Sequence, residues 1–247
     1  MPRAESSGAL ALEVREVSAG YGDTTIIRDI SLDMPAGATL VIVGPNGHGK
    51  TTLMRAISGL LPIRHGTIAF GGERIEGRRA EALTDLGLVH VPQGDHLFAE
   101  LTVEENLLMG AFPRASWRER RQSVERVFER FPTLRERRTQ RASSLSGGER
   151  RQVAIGRGLM RRPRLLIVDE PSLGLAPVII ETVYETIGEI ARGGDTSVLL
   201  VEENFTHIEE IADRVCVLEM GRIVRTGTAA ELMADETVMQ SYLGVVG

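Results

Sequence analysis

The sequence predicts an α/β fold, a parallel sheet covered by helices on both faces, and three observations carry that expectation. Short, almost wholly apolar runs recur at residues 38–43, 164–168 and 196–201, as expected of strands buried on both faces. Helical patterns alternate with these runs, which is the order of a parallel sheet. A glycine-rich turn, residues 44–49, links the first run to a helical pattern over 51–58.

The remaining elements follow in order. Residues 11–35 alternate apolar and polar side chains around a turn at Gly20, Tyr21 and Gly22, and read as strands. Residues 66–75 and 87–91 read as strands again. From 102 to about 159 the pattern turns helical and arginine-rich, with Pro113 and Pro132 as breakers. Helices are expected at 177–191 and 205–212, two strands around Met220 and Gly221, and a closing helix at 229–243. A length of 247 residues suits one α/β domain, here 1–247, with a helical insert at about 96–160.

Composition narrows the function. Apolar residues make up 42% and charged residues 26%, the balance of an ordinary globular chain that needs no disulfides or metals to fold. No apolar run approaches the roughly 20 residues that cross a bilayer, and residues 1–7 lack an apolar signal core. The single cysteine, Cys216, excludes internal disulfides and a Cys-rich metal site. A net charge of −5 argues against non-specific nucleic-acid binding as the main task. The expectation is a cytosolic chain. Among 29 basic residues only Lys50 is lysine, so position 50 calls for a compact point charge on a flexible stem rather than a planar fork.

That lysine completes a motif. Gly44-Pro45-Asn46-Gly47-His48-Gly49-Lys50-Thr51 matches the phosphate-loop pattern G-x-x-x-x-G-K-[ST]. Glycines there let backbone N–H groups turn inward around a polyphosphate, and the helix that follows aims its positive dipole end at the same anion. Lys50 is expected to reach the β- and γ-phosphates of ATP, and Thr51 to hold Mg²⁺, with Thr52 beside it. His48 belongs to the loop and is given no catalytic role. The plain alternative, a glycine-rich turn with an incidental lysine, leaves the flanking strand, helix and lone lysine unaccounted for. Downstream, four apolar residues (165–168) deliver Asp169 and Glu170 to the C-terminal edge of the sheet, where ligands bind in such folds. Asp169 is expected to hold Mg²⁺ through water, and Glu170 to orient or deprotonate the attacking water.

A further motif points to a family. Leu145-Ser146-Gly147-Gly148-Glu149-Arg150-Arg151-Gln152 resembles the signature sequence of ABC-type ATPases, and lies about twenty residues before Asp169, where that family carries it. Its helix is expected over 149–160, with the Ser146, Gly147 and Gly148 amides free to grip an anion. The resemblance implies a P-loop NTPase core with a parallel sheet, an N-terminal antiparallel β subdomain and an inserted α-helical subdomain. It implies that Tyr21 stacks on adenine and that Gln93 senses Mg²⁺ and the permease. Residues 171–177 (Pro-Ser-Leu-Gly-Leu-Ala-Pro) match the loop that crosses to a partner ATPase. Within the family the chain is most similar to importer ATPases for branched-chain amino acids, through residues 171–177, 101–107 (Leu-Thr-Val-Glu-Glu-Asn-Leu) and 241–244 (Ser-Tyr-Leu-Gly). ATPases of urea or amide importers and of a lipopolysaccharide exporter would look almost the same.

What the resemblance implies about assembly is equally specific. Two ATPase subunits, identical or different, face head to tail, so Ser146, Gly147 and Gly148 would serve the partner's ATP. Lys50, Gln93, Asp169 and Glu170 would serve this chain's own. Two transmembrane permeases would dock near Gln93 and the helical insert on the inner face of a bacterial membrane, with a substrate-binding protein acting indirectly. Two positions depart from the family pattern. Glu203, ten residues before Asp213-Arg214, stands where a histidine normally bonds the γ-phosphate, and Ala176 stands where many relatives carry the aspartate of the crossing loop. Both put the competence of this chain's own site in question. His207, one helical turn beyond, reads as a surface or packing residue. A nucleic-acid surface on the insert, with its ten arginines from Arg114 to Arg141, is the rival reading. The interspersed Glu119, Glu125, Glu129 and Glu136 favour a solvated helix face, and no nucleic-acid partner is expected.

Overall fold

The structure, a computed structural model, describes residues 9–112, 118–203 and 205–235. Among these residues the strands form two sheets. The first is antiparallel, in the order β2 (Thr24–Pro35), β1 (Leu10–Tyr21), β4 (Ile63–Phe70), β5 (Glu73–Arg74). The second runs β10 (Arg222–Gly227), β9 (Arg214–Glu219), β3 (Thr39–Val43), β8 (Ser197–Glu202), β7 (Leu165–Asp169), β6 (Leu88–Val91). From β9 to β6 it is parallel; β10 pairs antiparallel to β9 across the Met220-Gly221 turn.

Period-two alternation along each parallel strand divides the interior in two. Leu40, Ile42, Leu165, Ile167, Leu199 and Val201 face one core, closed by the antiparallel sheet and α1 (Lys50–Ile57). Val41, Val43, Leu166, Val168, Val198 and Leu200 face the other, closed by α3 (Val103–Met109), α4 (Arg120–Arg130), α5 (Pro132–Glu136), α6 (Gly147–Leu159) and α7 (Pro177–Arg192). α2 (Ala80–Asp85) and α8 (Ala229–Met233) complete the described α-helices, and a 3-10 turn covers Ala142–Ser144. Because β3, β6, β7 and β8 are parallel neighbours, Gly44, Gln93, Asp169 and Glu202 leave the sheet on the same edge. That edge holds the site.

The arginine-rich stretch explains itself on α4. Ser123, Val124, Val127 and Phe128 are its buried stripe, and Arg121 and Arg130 lie on the exposed side. Neighbouring arginines meet carboxylates: Arg135 pairs with Glu125, Arg138 with Glu104, Arg137 with Glu149, and Arg141 with Glu100. Exposed pairs of this kind contribute little stability, but they leave the surface locally balanced in charge.

Four expectations are corrected. The helix over 205–212 is instead a run of turns: His207 takes a left-handed backbone, φ 65°, which a helix cannot continue through. The signature helix begins at Gly147 rather than 149, because Ser146 caps it and exchanges hydrogen bonds with Glu149 in a capping box. The segment over 66–75 is two strands, separated by a turn through Gly71 and Gly72, and α2 lies where no helix was expected. The expected closing helix stops at Met233, with Ala234 as its C-cap; residues 236–243, Arg114 and the 241–244 motif lie outside the described residues.

Candidate active site

The loop between β3 and α1 is shaped by what cannot fit there. A Cβ on Gly44 would lie 2.2 Å from the Leu218 carbonyl oxygen. Gly49 combines φ 105° with the Ile27 side chain 2.8 Å from where a Cβ would be. Only glycine satisfies both demands. Pro45 and Asn46 continue the turn. The Asn46, Gly47, Gly49, Lys50, Thr51 and Thr52 residues line a cleft of about 420 Å³, together with Tyr21, Ile26, Gln93 and Glu170. Tyr21 is held by Arg55, whose guanidinium donates to the Tyr21 hydroxyl at 3.1 Å. His48 does not line the cleft: its Nδ1 accepts from the Met220 amide at 3.3 Å, and its carbonyl from Gly221 at 3.0 Å. It ties the loop to the β9–β10 turn.

Lys50 and Glu170 form the ionic centre of the cleft. Lys50 Nζ donates to the Gly44 carbonyl at 2.6 Å and lies 3.1 Å from Glu170 Oε1, with both side chains buried. Gln93 Nε2 donates to the other oxygen, Oε2, at 2.8 Å. Glu170 reaches this position because its own backbone is left-handed, φ 46°, so the chain turns sharply off the end of β7. Asp169, one residue earlier, is fully buried, and neither of its carboxylate oxygens has a hydrogen-bond partner of good geometry. Burial pushes its carboxyl up to about 6, against the opposing pull of the nearby Thr51 hydroxyl. An orphaned buried carboxylate beside a threonine hydroxyl suits a hard cation, and the glycine cradle suits a polyphosphate. The residues fit both groups.

The neighbouring strand end is differently built. Glu202 is buried and accepts from the Ser172 hydroxyl at 2.9 Å and the Ser172 amide at 3.3 Å; Tyr184 also donates to it. Burial raises its pKa and these donors lower it, burial being the larger effect. Glu203 is exposed and does not line the cleft. Ala176 caps α7 without a side-chain hydrogen bond. His207 stacks against Tyr184 with ring centroids 5.5 Å apart, as a packing residue does.

The structure brings Tyr21, residues Asn46, Gly47, Gly49, Lys50, Thr51 and Thr52, Gln93 and Glu170 into one cleft, while Gly44, Pro45 and His48 are not among its lining residues. Ser146, Gly147 and Gly148 lie outside it, at the N-terminus of α6. Arg55, Asp95, Arg151 and Glu202 are the contributors that sequence reasoning missed. Of these only Arg151 lies within a motif the sequence shows, the run 145–152.

The ABC transporter family model matches residues 27–173. The chain is 41% identical to the high-affinity branched-chain amino acid transport ATP-binding protein BraG of Pseudomonas aeruginosa, over 94% of this chain and 99% of that one. It is 34% identical to the probable branched-chain amino acid transport ATP-binding protein LivF of Archaeoglobus fulgidus, over 95% and 99%. Its fold is similar to an ATP-binding cassette of an ABC transporter in its ADP conformation, with a TM-score of 0.83, 26% identity and coverage of 95% and 99%. Likeness in sequence and fold thus runs along nearly the whole chain, and the match spans the loop at Lys50 and the strand end at Glu170: the chain belongs to the ABC transporter family, among its ATP-binding subunits.

Proposed function

We propose that this chain binds and hydrolyses ATP to drive a membrane importer for branched-chain or related amino acids, beside a second ATPase subunit and two permeases. The observation that carries the site assignment is Glu170 held between Lys50 and Gln93, next to the unpartnered Asp169. Lys50 leaves Glu170 for the β- and γ-phosphates when ATP enters, since a polyphosphate offers more negative charge than one carboxylate. Glu170 then orients the attacking water and takes its proton. The water oxygen bonds to the γ-phosphorus as the bond to the bridging oxygen breaks, leaving ADP and phosphate. Gln93 keeps the Glu170 carboxylate in register, and Tyr21 stacks on adenine. Thr51 and Asp169 would hold Mg²⁺, which when bound would neutralise phosphate charge.

Ser146, Gly147 and Gly148 serve the partner's nucleotide: they lie outside this chain's cleft, at the N-terminus of α6, where the Gly147 and Gly148 amides would meet an anion while Glu149 holds the Ser146 amide. The permeases dock beside the Gln93 segment, where Phe98, Met109 and Phe112 expose apolar surface. With Glu203 and Ala176 at the two departing positions, the partner holds the stronger site of an asymmetric pair. ATP hydrolysis by the purified chain, measured across protein concentrations beside Glu203→His, tests this. Near silence in the unmodified chain, with activity restored by histidine and rising faster than linearly, supports it. Brisk hydrolysis by the unmodified chain as a self-dimer removes the asymmetry. Co-purification with native membrane subunits that take up leucine rather than urea tests the substrate class.

A further inference from the structure

Several arginines of the helical insert meet carboxylates, but at one cavity the balance of charge fails. Arg126 and Arg130, on α4, and Arg162, just past the end of α6, line a cavity of about 500 Å³ in which Asp195 is the one acidic lining residue. Arg162 and Asp195 stand shortly before β7 and β8, so the cavity lies at the edge of the parallel sheet opposite the cleft that Lys50 lines. Val127, Leu159 and Ile190 give it an apolar wall. An apolar enclosure of this size with a few convergent polar groups is the build of a small-molecule site.

The three guanidiniums share this space with little negative charge between them. Arg126 is half-buried, and burial first, then the Arg162 charge, lower its pKa, while Glu119 and Glu129 act in the opposite sense. Its Nη2 donates to the Ser123 hydroxyl, a neutral group, at 2.7 Å. Arg162 lies 3.5 Å from Glu119, but both side chains are exposed and such a pair contributes little. Arg130 forms no ion pair among the described residues. Arg162 also takes a left-handed backbone, φ 50°, a conformation that suits glycine and strains a residue with a side chain. Strain and crowding of like charge are both costs to the free chain, and an anion relieves the second. Three positive charges and one negative leave +2 on the lining. A phosphate monoester carries about −1.5 to −2 at pH 7 and matches that charge, whereas a carboxylate carries half as much. The planar fork of arginine fits phosphate oxygens two at a time.

We propose that this cavity binds a phosphate monoester, free or as a lipid headgroup, with the three arginines on the phosphate and the apolar wall against the organic part. The site is separate from the ATP cleft and does not depend on it. The arginine Nε–Hε signals of the full chain, followed by NMR as phenyl phosphate is added, test it. Signals missing from Arg130→Gln and Arg162→Gln identify those two side chains; both are exposed, so these variants are expected to fold. Arg126→Gln identifies the third. The three signals are expected to shift together along one saturating curve, while that of Arg121, exposed on α4 outside the cavity, does not move. Arg130→Gln is expected to weaken binding, read at Arg162, at least about tenfold, and Arg121→Gln to leave it unchanged. Benzoate, with the same ring and a single charge, is expected to bind at least about tenfold more weakly. No saturation at millimolar phenyl phosphate overturns the proposal. So do wild-type affinity in Arg130→Gln, equal affinity for benzoate, and an Arg121 signal that moves with the other three. Vesicles separate the two sources of the ester. Capture by phosphatidylcholine vesicles only when they contain phosphatidic acid, lost in Arg130→Gln and kept in Arg121→Gln, supports a lipid headgroup. Binding of phenyl phosphate without capture by either vesicle supports a soluble ester.

Discussion

β7 and β8 lie side by side in the parallel sheet, and each ends in an apolar run followed by two acidic residues, Asp169-Glu170 and Glu202-Glu203. Their first carboxylates are both buried, yet Asp169 has no hydrogen-bond partner and Glu202 is surrounded by donors from Ser172 and Tyr184. Their second carboxylates diverge further. Glu170 turns into the cleft through its left-handed backbone and meets Lys50 and Gln93; Glu203 stays on the surface. The same local pattern therefore makes one end that faces the cleft and one that anchors a loop. An unsatisfied buried carboxylate is a cost retained where a ligand will satisfy it, whereas a satisfied one anchors a loop, here the one that begins at Ser172.

The sharpest break in this comparison is at the second carboxylates. In the Glu203→His background, where hydrolysis is expected to be restored, Glu170→Gln is expected to lower it by about 10²- to 10⁴-fold, the usual contribution of a positioned base, with ADP affinity retained. Replacing Glu203 by Gln leaves nucleotide affinity unchanged. Parallel turnover and equilibrium-binding measurements read both.

Burial raises the pKa of both first carboxylates, but they differ in what replacing them does to stability. Asp169 has its folded-state pKa raised from 3.8 to about 6. A carboxyl raised in this way contributes stability below pH 4 and loses it as pH climbs to 6. At about 1.4 kcal/mol per pH unit the loss is about 3 kcal/mol. Asp169→Asn should therefore raise the urea midpoint at pH 7, leave it unchanged below pH 4, and abolish hydrolysis. His90, half-buried and lowered from 6.5 to about 4, acts oppositely: its stabilisation is present above pH 6.5 and lost as pH falls to 4. His90→Gln would leave the acid limb to Asp169, so that stability falls as pH rises through the same window.

Glu202→Met is expected to destabilise the fold by about 1–3 kcal/mol, because it strands the Ser172 and Tyr184 donors in the interior. Thermal melting of this variant beside Asp169→Asn should give shifts of opposite sign. The smallest effect belongs to Ala176→Asp, which adds the missing cap to α7 and is worth about 1 kcal/mol. A rise in melting temperature of about 2–4 °C checks it.

Much of this was legible in the chain. The phosphate loop, the Asp169-Glu170 strand end and the signature are local patterns, and the lone lysine marks the loop independently. Turns at His207 escaped because its left-handed backbone has no local composition signal. The helix start at Gly147 was hidden for a different reason: two glycines read as loop until the reciprocal bonds of Ser146 and Glu149 close around them.

The sequence by itself determined which residue types lie at the ends of which strands, since period-two burial and glycine-dependent turns act over a few neighbours. Only the tertiary structure decided what each charge meets. Glu170 finds Lys50 across 120 positions, Gln93 reaches Glu170 across 77, and Arg151 finds Asp95 from another element. Those encounters depend on strand order and on where low-dielectric packing excludes water, and neither is written in any local stretch of the chain.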